Sequence, residues 1–202
     1  MHRRPRPRGY LKRLQASTTP AGAGVQRYQT IVIDPPWPYA DRINAKNRGA
    51  KNHYDLMSIE ELMALPLASV SAPNSHLYLW TTNSFLEAAH VLMRQWGWTQ
   101  KTVRTWVKPQ IGMGRYYRNN TEHVLFGVRG KQPALVHNIA TAFTAPRGPH
   151  SAKPEIFYEQ TEKHSPGPYL DVFARQARQG WTVLGNEVDG ERIDVALRRL
   201  AA

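Results

Sequence analysis

Apolar, β-branched runs that alternate with segments of helical period predict an α/β domain on a mainly parallel sheet with helices on both faces. Two observations carry this expectation. The run Thr30-Ile31-Val32-Ile33 suits a strand covered on both faces, and it stops at Asp34-Pro35-Pro36, where proline withdraws its N–H from the ladder and restricts the residue before it. Two capping boxes, Ser58 with Glu61 and Ser84 with Glu87, each predict the start of a helix.

Taken in order, residues 1–26 are basic and then rich in Ser, Thr, Pro, Gly and Ala without periodicity, as in a flexible basic arm. One domain is expected over residues 27–202, since 202 residues suffice for a single α/β core and no more. After the first strand, residues 38–57 form a polar loop carrying Arg42, Lys46, Arg48, Lys51 and Tyr54. A helix follows Ser58, a strand covers residues 76–80, and Leu86, Ala89, Met93 and Trp96 recur at helical spacing after Ser84. Strands are predicted at 101–107, 123–128, 169–173 and 181–184, with helices at 154–164 and 191–200 and a Gly-, Arg-, Tyr- and Asn-rich loop at 112–120. There is no internal repeat.

Lys and Arg number 27 against 15 Asp and Glu, a formal charge of +12, and the excess is clustered. No acid precedes Asp34, and Glu122 is the only acid between Glu87 and Glu155. Such clustering suits a polyanion, because each phosphate contact releases condensed counterions; a solubilising basic surface is the alternative. The chain has no Cys. That excludes disulfides, thiolate zinc sites and Cys nucleophiles, and with them cytosine carbon-5 methylation and zinc-dependent deamination. The eight His show no metal-ligand spacing, so no metal is expected. Neither a membrane span nor a secretory signal is recognisable, and Pro5 and Pro7 spoil an amphipathic transit helix, so a cytoplasmic location is expected.

The chemistry centres on Asp34-Pro35-Pro36-Trp37. An exocyclic amine conjugated to a base ring is a poor nucleophile. A carboxylate and a backbone carbonyl that accept from its two N–H groups would favour a tetrahedral nitrogen with a lone pair free for a methyl donor. Asp34 offers the carboxylate, the two prolines fix the Pro35 carbonyl, and Trp37 offers a face for an extruded base. Ligands of open α/β folds sit at the carboxyl ends of the strands, which is where this tetrapeptide falls. Alone, so short a word also arises in ordinary turns.

From about Thr30 to Gly190 the chain resembles the adenine N6 methyltransferase family that includes the catalytic subunit of the eukaryotic messenger-RNA adenine methyltransferase and bacterial and phage DNA enzymes. The likeness rests on Ile33-Asp34-Pro35-Pro36-Trp37, Tyr54-Asp55-Leu56-Met57-Ser58, Leu77-Tyr78-Leu79-Trp80-Thr81-Thr82, Trp96-Gly97-Trp98 and Trp106-Val107-Lys108. It continues through Thr121-Glu122-His123-Val124-Leu125-Phe126-Gly127, Ser151-Ala152-Lys153-Pro154-Glu155, Leu170-Asp171-Val172-Phe173-Ala174-Arg175 and Trp181-Thr182-Val183-Leu184-Gly185-Asn186-Glu187.

The resemblance implies a Rossmann-like, S-adenosylmethionine-dependent methyltransferase fold with permuted motif order. It implies that Asp34 also approaches the ammonium of the cofactor's methionine moiety and that Lys153 pairs with its carboxylate. Phe173 and Arg175 would line the nucleoside pocket, and Asn186 with Glu187 would bind ribose and adenine. The family's eukaryotic catalytic subunit has an amide where this chain has Glu187, and its His-Asn pair is missing from residues 175–180. A GxGxxG run is also absent.

Tyr54 is a candidate to hold the target base, with simple packing as the alternative; Lys108, Arg115 and Arg118 are candidates for phosphate contacts, with a solvated loop as theirs. Nucleic acid is the expected partner, DNA ahead of RNA, and a homo- or heterodimer is compatible with the sequence. RNA adenine N6, cytosine N4 and an inactive nucleic-acid-binding subunit remain the competing readings.

Overall fold

The computed structural model describes residues 26–39, 56–114, 116–148, 152–185 and 190–202. The basic arm, Tyr54, Arg115, Asn186 and Glu187 lie outside the described residues. The elements run β1 (Tyr28–Ile33), α1 (Ile59–Met63), α2 (Leu67–Val70), β2 (Ser71–Thr81), α3 (Leu86–Gln95), β3 (Thr99–Val107) and β4 (Thr121–Arg129). They continue with β5 (Ala142–Thr144), α4 (Glu155–His164), β6 (Tyr169–Val172), β7 (Trp181–Leu184) and α5 (Ile193–Ala201).

The strands form one seven-stranded sheet in the order β5-β3-β4-β2-β1-β6-β7. Pairings β1–β2, β1–β6, β6–β7 and β3–β5 are parallel; only β4 runs against its neighbours β2 and β3. The carboxyl ends of β1, β2, β3, β6 and β7 and the amino end of β4 therefore share one edge.

Strand alternation divides the core in two. Ile31, Ile33, Leu77, Leu79, Leu170 and Val172 pack on one face with Leu62 of α1, Leu67 of α2, Leu92 of α3 and Leu197 of α5. Val32, Tyr78, Trp80, Trp106 and Phe126 face the other way, where Phe157 of α4 covers them. No helix among the described residues is long and apolar enough to cross a membrane.

The capping box at α1 forms as predicted: Ser58 Oγ accepts from the Glu61 N–H at 3.1 Å and Glu61 accepts from the Ser58 N–H at 2.8 Å. The box predicted at Ser84 and Glu87 does not form. Asn83–Phe85 make a 3-10 turn, and Phe85 stands at the N-cap of α3 without a side-chain cap. Tertiary contacts override the local signal here: Asn83 Oδ1 meets His123 Nε2 at 2.8 Å, and Phe85 stacks on Trp37. α2 and β5, of four and three residues, are too short for periodicity in the sequence to register.

Candidate active site

β1 delivers Asp34 to the carboxyl edge, and the Asp34 N–H donates to the Val172 carbonyl at the end of β6. With no N–H on Pro35 or Pro36 the ladder ends there, and the chain turns so that the Trp37 N–H donates to the Pro35 carbonyl at 2.9 Å and the Met57 N–H to the Pro36 carbonyl at 3.2 Å. The Pro35 oxygen keeps a second lone pair.

Lys153, one residue before Pro154 at the start of α4, reaches this edge from the other face of the sheet. Its Nζ lies 2.9 Å from Asp34 Oδ2 and 3.0 Å from Glu122 Oε2, over the ring of Trp80 at 4.7 Å. Glu122 is also ion-paired with Lys108, which lies over Trp106. The result is a charged row, Asp34–Lys153–Glu122–Lys108.

Its protonation follows from how the charges are shared. Burial would raise Glu122, but Lys153 and Lys108 outweigh it and keep this carboxylate below its ordinary pKa. Burial raises Asp34 above its ordinary value, because Asp34 has only a share of one ammonium and also feels the Glu122 charge. Burial alone would lower Lys153, yet Asp34 and Glu122 together raise it, so it stays cationic.

A cleft beside this row is lined by Asp34, Lys153, Tyr158, Asp171, Phe173 and Arg175. Phe173 follows β6 with φ 64°, a left-handed conformation that bulky residues rarely adopt and that recurs at ligand sites. The neighbouring crossing is tight: a Cβ at Gly185 would lie 2.0 Å from the Ala174 carbonyl oxygen. At the cleft floor Tyr158 donates to Asp171 Oδ2 at 2.8 Å, and burial raises Asp171 to about 7 against that hydrogen bond. Arg178 lies over the Tyr158 ring and pairs with Glu155.

Of the residues singled out from sequence, Asp34, Lys153, Phe173 and Arg175 thus meet at one cleft. Two others differ from expectation. Trp37 is buried, its ring stacked on Phe85 at 5.1 Å and its Nε1–H donated to the Trp80 carbonyl at 3.2 Å, so it is a wall of the core rather than a face for a base. Two residues on, Tyr39 is exposed, hydrogen-bonded to Thr82 and edge-on to Phe85. Lys108 is a buried partner of Glu122, because the antiparallel pairing of Trp106 with Glu122 brings the two together, and it is not placed to meet a phosphate. Arg118 is exposed in the β3–β4 loop.

Glu122, Tyr158 and Asp171 escaped the sequence reading as site residues. Two of them left a trace: Glu122 is the sole acid of a long basic stretch, and Asp171 is an acid inside an apolar strand.

The strand order and the position of the cleft are those of a Rossmann-like methyltransferase. The MT-A70 family profile matches residues 28–187, and the chain belongs to that family. It is 30% identical over 190 residues to the type II methyltransferase M.MunI of Mycoplasma sp, covering 84% of this chain and 82% of that protein. It is also 30% identical over 179 residues to the N6-methyladenosine RNA methyltransferase MTA1 of Cryphonectria parasitica, covering 80% of this chain and 52% of the relative. With the N(6)-adenine-specific methyltransferase METTL4 of Homo sapiens it shares 26% over 184 residues, 80% of this chain and 37% of the relative. The chain therefore spans most of the first relative but about half or less of the other two. It is an adenine-N6 methyltransferase by family.

Proposed function

We propose that this chain methylates the N6 amino group of adenine in DNA with S-adenosylmethionine as donor, on a base taken out of its stack. The observation that carries the reading is the Asp34 carboxylate, anchored by Lys153 at the mouth of a Pro-Pro turn on the carboxyl edge of the sheet.

The cleft suits the cofactor by its charges. A zwitterionic amino acid calls for one anion and one cation, which Asp34 and Lys153 supply; the nucleoside would lie along Phe173 and Arg175. When bound, S-adenosylmethionine supplies an electrophilic methyl group. The chain's part is to align the amine: Asp34 accepts one N–H, the free lone pair of the Pro35 carbonyl accepts the other, and the nitrogen lone pair turns toward the donor. Glu122 keeps Lys153 charged, which in turn keeps Asp34 oriented.

DNA is preferred over RNA because the relative whose length the chain nearly spans is the one named a type II methyltransferase, while those named for adenosine are much longer than their matched part. Incubation with methyl-labelled cofactor and separate DNA and RNA pools, followed by digestion to nucleosides, tests the whole reading. The expected label is in N6-methyladenine of DNA. Label confined to the RNA pool overturns the choice of DNA, label in N4-methylcytosine overturns the choice of base, and no label in either pool supports an inactive binding subunit.

A further inference from the structure

Among the described residues the four most exposed large apolar side chains all fall within one stretch of the β3–β4 loop: Ile111 at 66%, Met113 at 83%, Tyr116 at 96% and Tyr117 at 86%. Soluble proteins seldom leave such a group uncovered without a partner for it. The loop is nonetheless built. Gly112 N–H donates to the Asn119 carbonyl at 2.6 Å, and Lys108 N–H donates to the Asn120 carbonyl at 2.7 Å. At the tip a Cβ on Gly114 would lie 1.8 Å from the Tyr117 carbonyl oxygen, so the turn closes as tightly as it does because residue 114 is glycine.

Position and charge select the partner. The loop springs from the carboxyl end of β3 and the amino end of β4, the edge that also carries Asp34, and its foot is Lys108 and Glu122 of the charged row. Residues 108–121 include no acid. The Arg147 side chain lies against the loop, within 2.7 Å of where a Cβ on Gly112 would be. Neither Arg147 nor Arg118 has a carboxylate partner among the described residues. Tyrosine offers a broad π-face to a base, and a base stacked in a duplex has no free face to offer in return. Extruding an adenine strips its neighbours of a stacking partner.

We infer that Tyr116 and Tyr117, on the same exposed loop as Ile111 and Met113, are a stacking platform for unpaired bases of a DNA strand next to the target adenine, with Arg118 and Arg147 on the flanking phosphates. The inference rests on the proposed function in supposing an extruded adenine.

The test is equilibrium binding of a short fluorescent single-stranded DNA containing one adenine, alongside calorimetric titration with S-adenosylmethionine and light scattering. The pair Tyr116→Ala with Tyr117→Ala should weaken DNA binding roughly tenfold or more, while Tyr116→Phe with Tyr117→Phe should stay within about threefold of the parent. Cofactor affinity should not change in either. Abasic sites flanking the adenine should weaken the parent and add nothing to the alanine variant.

Parental DNA affinity in the alanine variant, or an equal loss with and without the flanking bases, overturns the platform. So does a parent dimer that the alanine variant turns into a monomer at unchanged DNA affinity, which would make the loop a surface for a second copy. An RNA strand that binds more tightly and alone responds to the substitutions overturns the assignment to DNA. Absence of binding by the parent overturns the platform. If the parent methylates adenine but the alanine variant binds normally, the platform alone falls; if no methyl transfer occurs but the stacking cycle holds, the enzymatic reading alone falls.

Discussion

Two polar clusters are built into this sheet, one at each end of its strands, and they are organised on opposite principles. Toward the amino ends, His76, Tyr78, His164 and Ser165 form a closed network. Burial lowers His76 to about 4, so the ring is neutral; its Nε2–H is donated to the Gln132 carbonyl at 3.1 Å and its Nδ1 accepts from Ser165 at 2.7 Å. Ser165 in turn meets the Tyr78 hydroxyl at 2.6 Å, and Tyr78 meets His164 at 2.9 Å. No member needs a charge. At the carboxyl edge, Asp34 and Glu122 divide one ammonium between them, and the row opens on a cleft. The difference teaches that burial of polar groups does not make a site. A network that satisfies itself is structural, whereas one that leaves a carboxylate with a shared partner beside a cleft has capacity left for a ligand.

The sharpest way to break this comparison is Asp34→Asn. The amide is a weaker acceptor and can turn an N–H toward the target amine, so the transition state should lose about 3 kcal/mol or more while the fold is retained. Single-turnover methyl transfer measures it, and activity within a few-fold of the parent would remove Asp34 from the chemistry. Next in size is Lys153→Ala, expected to weaken S-adenosylmethionine binding by about 1.5 to 3 kcal/mol in calorimetry, because a carboxylate loses a charge-assisted partner.

Asp171 sharpens the contrast through pH. Its folded pKa, near 7, is above the ordinary carboxylate value, so its contribution to stability is present below about pH 4 and is lost as pH rises through about 7. Relative to Asp171→Asn, the parent should therefore lose on the order of 4 kcal/mol between pH 4 and pH 8 in denaturant titrations. A constant difference would show that the buried acid does not titrate. The smallest effect belongs to the closed network. Tyr78→Phe should cost about 1 kcal/mol of stability and leave cofactor affinity untouched, since Ser165 keeps His76 as a partner.

Legibility in the sequence followed the range of the interaction. The span of β7 was readable to the residue, and those of β6 and α4 to within one, because period-2 and helical patterns are local. The α1 cap was readable for the same reason. Ser84 failed because Asn83 and Phe85 answer to His123 and Trp37, which are distant in the chain. Residue type suggested a stacking role for Trp37 but could not say which way the ring turns after two prolines. Lys108 and Glu122 stand 14 residues apart, and only the β3–β4 register shows that they neutralise each other. The meeting of Asp34, Lys153, Phe173 and Arg175 was implied by family resemblance, not by any pattern in composition.

Hydrogen–deuterium exchange of the full chain with and without saturating S-adenosylmethionine tests most directly whether the carboxyl-edge cluster, and not its closed counterpart, is the ligand site. The account predicts new protection in peptides covering residues 34–39, 153–158 and 171–176, and no change in those covering 76–78 and 164–166. Protection confined to the second set, or none in the first, would contradict it.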